Sequence, residues 1–255
     1  MAKNVRWPIG AEVRQKPIRG GGMLYDASRA GNAENTWFDP EWWQGRGELR
    51  LAPEGRGAAI FIDADARRLV LRHYRRGGWM ASVMGDRYFW RGEALTRSFV
   101  EWHLLYVMHR AGLPVPLPIA ARYLRCGNHY TADLLTEQIP ATRSLARRLR
   151  SGPLSLSAWI AIGRCLRRFH EDGICHADLN AHNVLLDEHQ SVWLIDFDRG
   201  RLRHPGFWSD ANLVRLRRSL EKISVTLPPE NFSEADWASL LDGYFTAAQA
   251  AEEAL

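Results

Sequence analysis

The order of apolar and polar residues divides the chain into a strand-rich first half and a helix-rich second half. Between residues 48 and 76, GELRLAPEGRGAAIFID and RRLVLRHYRRGG contain short β-rich apolar runs, which predict three strands. The first two strands would be joined by a turn at Gly55 and Gly57. HYTADLLTEQIP predicts another strand, whereas the glycine-rich RGGGMLYD near the start predicts a loop.

One helix is predicted among these strands. In ALTRSFVEWHLLYVMHRAGLPVP, apolar residues recur at helical spacing, and Gly112 with Pro114 marks the end of the helix. The residues of its predicted inner face are Leu95, Phe99, Trp102 and Tyr106.

The second half predicts four helices, in ATRSLARRLRSG, SLSAWIAIGRCLRRFHEDG, DANLVRLRRSLEKI and SEADWASLLDGYFTAAQAAEEA. The second of these ends at Gly173. Its predicted inner face consists of Trp159, Ile162, Leu166 and Phe169. Because the composition changes near Ile139–Arg143, we predict an N-terminal lobe over residues 1–140 and a helical C-terminal lobe over residues 141–255.

Four large aromatic residues lie within seven positions of the segment WFDPEWWQGRGE, namely Trp37, Phe38, Trp42 and Trp43. The simpler interpretation is a short helix that covers the core. The alternative is an aromatic contact with a lipid headgroup layer or a ligand.

Composition restricts the possible partners. The 255 residues are 46% hydrophobic, which is enough for a sizeable core, and the net charge of +5 comes mostly from arginine. Arginine suits phosphate and carboxylate recognition, so an anionic partner is expected. Three cysteines without a CxxC pair, and no secretory signal, predict a cytosolic protein with reduced thiols. No apolar run is as long as a membrane span, and no motif indicates nucleic-acid binding.

The segment HADLNAHNVLLDEHQSVWLIDFDRG, from His176 to Gly200, carries the candidate chemistry. VLL and SVWLID are apolar, β-rich runs separated by the turn-like DEHQ, which predicts a hairpin. Asn183 precedes its first strand and Asp196 ends its second, so their side chains can converge, while Asp178 lies in the loop that leads into the hairpin. Two such oxygen ligands suit Mg²⁺, and a third carboxylate could accept a proton from an attacking hydroxyl. Phosphoryl transfer requires these components.

The spacing of Asp178, Asn183 and Asp196 resembles the catalytic loop and metal-binding motif of protein kinases. HADLNAHNVLLD, LIDFDRGR and LRHYRRGG, with the tryptophan-rich start, more narrowly resemble the 3-deoxy-D-manno-octulosonic acid (Kdo) kinases of Gram-negative bacteria, over residues 35–222. This resemblance implies an α+β, protein-kinase-like fold of two lobes, the small one strand-rich and the large one helical. It implies ATP and Mg²⁺ as cofactors, and the 4-hydroxyl of Kdo in Kdo-lipid IV-A as acceptor. It also implies peripheral attachment to the anionic, cytoplasmic face of the inner membrane.

The resemblance also implies a role for individual residues. Asp178 would be the catalytic base, and Asn183 with Asp196 would hold Mg²⁺. The remaining candidates would act on the nucleotide: Gly55 and Gly57 above its phosphates, Arg72 in place of the strand lysine of kinases, and Glu101 as the helix glutamate that pairs with this cation. His176 is expected to support the loop by hydrogen bonding.

Several features depart from the kinase pattern or have simpler interpretations. Arg72 stands where kinases have lysine, the glycine segment EGRGAAIF is shorter than GxGxxG, and no APE-like segment follows the metal motif. A small or lipid-linked acceptor is therefore favoured over a peptide. Glu101 could instead belong to a capping box with Ser98. Arg75 and Arg76 beside Gly77-Gly78 could bind an acidic sugar or lipid phosphates, or could simply be solvated.

The sequence is also compatible with three other functions. A kinase of the same fold could act on heptose or another small molecule. A nucleotide-binding pseudokinase scaffold would explain the missing strand lysine, although the complete set of Asp178, Asn183 and Asp196 argues against it. RNA binding is the third alternative.

Overall fold

The computed structural model describes residues 10–50, 59–64, 67–75, 85–204 and 206–252, with the side chains of the last helix described as far as Thr246. The chain divides into two compact units. The first comprises Met1–Val107 and Pro116–Gln138, and the second comprises Met108–Val115 and Ile139–Leu255. Gly55 and Gly57 lie outside the described residues, as do Arg76, Gly77 and Gly78.

An antiparallel sheet forms most of the first unit. Its strands are β1 (Val13–Ile18), β2 (Gly21–Asp26), β3 (Leu49–Arg50), β4 (Ala59–Ala64), β5 (Arg67–His73), β6 (Tyr88–Phe89), β7 (Pro118–Cys126) and β8 (His129–Glu137). Within the described residues the strand order is β1-β2-β7-β8-β5-β4-β3, with β6 paired to β8. Together with the helices, this sheet confirms a mixed fold of helices and strands. β7 was not predicted.

The loop predicted in RGGGMLYD is wrong, because this segment forms β2 in the interior of the sheet. Gly21 pairs with Leu124, and Gly22 pairs with Tyr123. A Cβ atom added to Gly21 would overlap the carbonyl oxygen of Tyr123. The glycine therefore permits close approach of β7, a reason for glycine in a strand that local composition does not reveal.

Among the described residues of the first unit, three helices accompany the sheet: α1 (Ala27–Ala30), α2 (Pro40–Gly45) and α3 (Arg97–Arg110). On the predicted inner face of α3, Phe99, Trp102 and Tyr106 are buried. Leu95 is not part of this face, because it lies in a 3-10 turn (Glu93–Leu95) before the helix and is 51% exposed.

The tryptophan-rich segment covers the core, as its simpler interpretation predicted. Phe38 and Trp43 are buried in the same cluster as sheet residues such as Ile62 and Leu135, and Trp37 and Trp42 pack partly against it. α2 begins at Pro40, and the carboxylate of Asp39 accepts the N–H of Glu41 at its start.

The second unit is mainly helical. Its further elements are β9 (Arg143–Ser144), α4 (Leu145–Ser151), α5 (Leu156–Glu171), β10 (Ile174–Cys175), β11 (Val184–Leu186), β12 (Val192–Leu194), β13 (Arg201–Leu202), α6 (Trp208–Ser224) and α7 (Glu234–Glu252). The four predicted helices are confirmed as α4 to α7. The predicted inner face of α5 is buried at all four positions, Trp159, Ile162, Leu166 and Phe169. No helix among the described residues has the length and apolarity needed to cross a membrane.

Candidate active site

The hairpin predicted in the candidate catalytic segment is present. β11 and β12 pair antiparallel, with Val184 opposite Leu194. Beyond this pair, the N–H of Ile195 donates to the carbonyl oxygen of Asn183 at 3.0 Å. The pairing therefore places Asn183 and Asp196 at the same end of the hairpin, on adjacent chain segments.

Asn183 is also tied to the loop that carries Asp178. Its side-chain Nδ2 donates to the carbonyl oxygen of Asp178 at 2.9 Å, and the residue is 7% exposed. Because the nitrogen of the amide is used in this way, its oxygen is the atom that can serve as a metal ligand. Nδ2 of Asn180 donates to the carbonyl oxygen of Asp178 at 3.0 Å and to its Oδ2 at 3.1 Å.

His176 connects this loop to the hairpin. Its Nδ1 accepts the N–H of Asp178 at 3.2 Å, and its Nε2 donates to the carbonyl oxygen of Ile195 at 3.0 Å. These two partners require the neutral tautomer with the proton on Nε2. Burial lowers the pKa of His176 below its ordinary value, which favours the same neutral form. The prediction that His176 supports the loop is confirmed.

Asp196 adopts a left-handed backbone conformation, with φ of 65°. This region is uncommon for residues other than glycine, although aspartate tolerates it better than most. The following residue, Phe197, is 1% exposed, and its ring centroid lies 4.6 Å from that of His176 and 5.7 Å from that of Phe169. Phe197 therefore anchors the chain directly after Asp196.

A second polar constellation lies within the first unit. Arg72 on β5 forms the predicted ion pair with Oε2 of Glu101 on α3. Glu101 is only 2% exposed, so the arginine partly compensates a charge that is removed from water. The capping box of Ser98 and Glu101 is wrong, because Ser98 lies inside α3 and its hydroxyl donates to the carbonyl oxygen of Arg122.

Tyr74 belongs to this constellation and was missed in the sequence. Its hydroxyl donates to Oε2 of Glu101 at 2.6 Å, and the guanidinium carbon of Arg72 lies 4.6 Å from the centroid of its ring. Arg72 and Tyr74 are two positions apart, and in an extended chain this spacing directs both side chains to the same face. This spacing was the signal in the sequence that could have identified Tyr74.

Asn183 and Asp196 fit a hard cation by their chemistry, since an amide oxygen and a carboxylate are the ligand types that Mg²⁺ accepts. Within the described part of the chain, no three His, Cys, Asp or Glu side chains form a group that could hold a metal ion. Mg²⁺ usually completes its coordination with water and with the phosphates of a bound substrate.

The family model and the curated relatives that match this chain point to the same kind of protein. Residues 40–244 match the family model of the lipopolysaccharide kinase (Kdo/WaaP) family. A Xylella fastidiosa (strain 9a5c) protein named 3-deoxy-D-manno-octulosonic acid kinase is 48% identical over 206 residues, which cover 80% of this chain and 82% of the relative. Proteins of the same name from Stenotrophomonas maltophilia (strain K279a) and Xanthomonas axonopodis pv. citri (strain 306) are each 44% identical, over 88% of this chain and 89% of the relative.

Proposed function

The chain belongs to the lipopolysaccharide kinase (Kdo/WaaP) family, and on that premise we propose that it transfers the γ-phosphate of ATP to the 4-hydroxyl of Kdo in Kdo-lipid IV-A. The observation that carries this proposal is the arrangement of Asp178, Asn183 and Asp196, held by His176 and the hairpin within the matched residues. The two lobes of a protein-kinase-like fold would correspond to residues 1–140 and 141–255.

Asp178 is the proposed base. The loop backbone on both sides of this residue is fixed by His176 and Asn183, while its side chain is 63% exposed and accessible to an acceptor. In the reaction, the acceptor oxygen bonds to the γ-phosphorus and the bond from that phosphorus to the β,γ-bridging oxygen breaks. Asp178 accepts or orients the proton of the hydroxyl, and ADP leaves.

Oδ1 of Asn183 and the carboxylate of Asp196 would hold the Mg²⁺ ion. The ion, when bound, neutralises phosphate charge. Arg72, positioned by Glu101 and Tyr74, would bind the nucleotide phosphates, and the turn of Gly55 and Gly57 would lie above them. Most of the acceleration would come from positioning and charge stabilisation rather than from a covalent intermediate.

The proposed setting is the cytoplasmic face of the inner membrane, to which the protein would attach peripherally. The net charge of +5 is compatible with an anionic lipid surface. Sedimentation with vesicles that contain anionic lipid, and not with neutral vesicles, would support this location. Binding that is equal for both kinds of vesicle would contradict it.

Incubation with ATP, Mg²⁺ and Kdo-lipid IV-A tests the reaction directly. Mass spectrometry and NMR of the product should show one added phosphate and place it on the 4-hydroxyl, with no product from Asp178→Ala. Phosphate added only to a heptose-containing acceptor would replace Kdo with heptose as substrate. Nucleotide binding with no transfer to either acceptor would favour the pseudokinase scaffold.

A further inference from the structure

One face of α6 holds the loop that carries Asp178. Asn212, Arg215 and Ser219 are spaced by three and four residues, so they lie on the same side of the helix. Oδ1 of Asn212 accepts the N–H of His176 at 3.1 Å, and Oγ of Ser219 accepts the N–H of Ala181 at 3.1 Å. The helix is therefore attached to the loop on both sides of Asp178.

Arg215 lies between these two attachments and points to the proposed base. Its Nη1 is 3.9 Å from Oδ1 of Asp178, and the two side chains are 54% and 63% exposed. An ion pair at this separation and exposure contributes little to stability. The arrangement instead presents a guanidinium group to solvent directly beside the carboxylate that the acceptor must approach.

The two oxygens of Asp178 have different surroundings, which indicates the side from which the acceptor arrives. Oδ2 accepts a hydrogen bond from Asn180, whereas Oδ1 faces Arg215. A hydroxyl that donates its proton to Oδ1 would therefore lie next to the guanidinium. Any anionic group a few bonds away on the same molecule would be within its reach.

We propose that Arg215 binds the carboxylate of the acceptor sugar. This inference rests on the proposed function, since an octulosonic acid carries a carboxylate close to its ring hydroxyls. A guanidinium matches a carboxylate through paired N–H donors, and it holds its charge at all physiological pH values. Arg215 would thus orient the acceptor so that the hydroxyl, rather than another part of the sugar, meets Asp178.

Steady-state kinetics of Arg215→Gln test the assignment. We expect the KM for Kdo-lipid IV-A to rise about 10- to 100-fold, as for the loss of a hydrogen-bonded charge pair, with the KM for ATP unchanged. Arg215→Lys should raise this KM less than Arg215→Gln does, because lysine keeps the charge but not the paired donors. The control is Arg218→Gln, which removes the same charge from an arginine that lines a pocket together with Trp237 and Leu241, and it should resemble the wild type.

An acceptor whose carboxyl group is converted to the primary amide provides the second arm. For the wild type, the KM for this amide acceptor should rise by the same factor as the KM of Arg215→Gln for the natural acceptor. For Arg215→Gln, replacing the natural acceptor with the amide should raise the KM little further. A higher KM for ATP with an unchanged acceptor KM would assign Arg215 to the γ-phosphate and overturn the proposal. Unchanged kinetics would overturn it as well, while absence of transfer by the wild type would refute the proposed function itself.

Discussion

Tyr74 and Arg72 share one acceptor atom, because both donate a hydrogen bond to Oε2 of Glu101. The tyrosine ring also lies beneath the guanidinium of Arg72. Tyr74 therefore fixes both members of the ion pair, the carboxylate through its hydroxyl and the cation through its ring.

We expect Tyr74→Phe to reduce kcat/KM for ATP about tenfold, since it removes one hydrogen bond to a buried carboxylate while the ring remains. Tyr74→Leu, which also removes the ring beneath Arg72, should reduce kcat/KM for ATP further. Isothermal titration with ATP and steady-state kinetics would measure both losses. The matched control is Tyr25→Phe, a buried tyrosine in the core on β2. Kinetics of Tyr74→Phe equal to those of the control would refute a role for Tyr74 in positioning.

His73 lies between two carboxylates. Its Nδ1 lies 2.7 Å from Oδ1 of Asp133 and its Nε2 lies 2.7 Å from Oδ2 of Asp86, while Arg122 also donates to Asp133. Both ring nitrogens can donate only in the imidazolium form. The hydrogen bond to Asp133 raises the pKa of His73 more than burial lowers it, so the net shift is upward from 6.5.

The sign of the resulting pH dependence follows from this upward shift. The stabilisation by His73 is fully present below about pH 6.5 and is lost as pH rises through the folded-state pKa. An NMR titration of the His73 ring should give a pKa above 6.5. In His73→Gln, the free energy of unfolding measured with urea should no longer fall as pH rises through this range. A measured pKa below 6.5 would contradict the imidazolium assignment.

The contribution of His176 to stability should depend on pH in the opposite direction to that of His73. Because burial lowers its pKa, it contributes stability that is present above about pH 6.5 and lost as pH falls through the lower folded-state value. Protonation of Nδ1 would remove the acceptor for the N–H of Asp178. We therefore expect phosphate transfer to decline on the acid side as the loop loses this bond.

His176→Ala should lower kcat by up to about 100-fold through misplacement of Asp178, with a much smaller effect on nucleotide binding. His182→Ala is the matched control, since His182 is exposed in the same loop. If both variants lowered kcat equally, the hydrogen bonds of His176 would not be what positions Asp178.

The sequence predicted the parts of the site that depend on local spacing. The hairpin with Asn183 and Asp196 at one end follows from two apolar runs and a four-residue turn, and the structure contains it. The ion pair of Arg72 and Glu101 was also predicted, but from the family resemblance rather than from the strand and helix patterns alone.

Features that depend on contacts distant in sequence were missed. The place of Gly21 in a strand depends on the approach of Tyr123, and the position of Arg215 beside Asp178 depends on the attachment of α6 to the loop. A basic residue on an amphipathic helix has the same local pattern whether it faces solvent or a reacting group. Only the tertiary contacts of Asn212 and Ser219 distinguish the two cases.

The most direct test of the central claim is the rate of phosphate transfer in a single turnover, with saturating ATP and Mg²⁺ and with Kdo-lipid IV-A as acceptor. Asp178→Asn should slow this rate about 10²- to 10⁴-fold, the usual contribution of a general base, while ATP binding stays unchanged. Asp187→Asn, in the turn at the opposite end of the hairpin, should transfer phosphate at the wild-type rate. A wild-type rate for Asp178→Asn would contradict the assignment of Asp178 as the base.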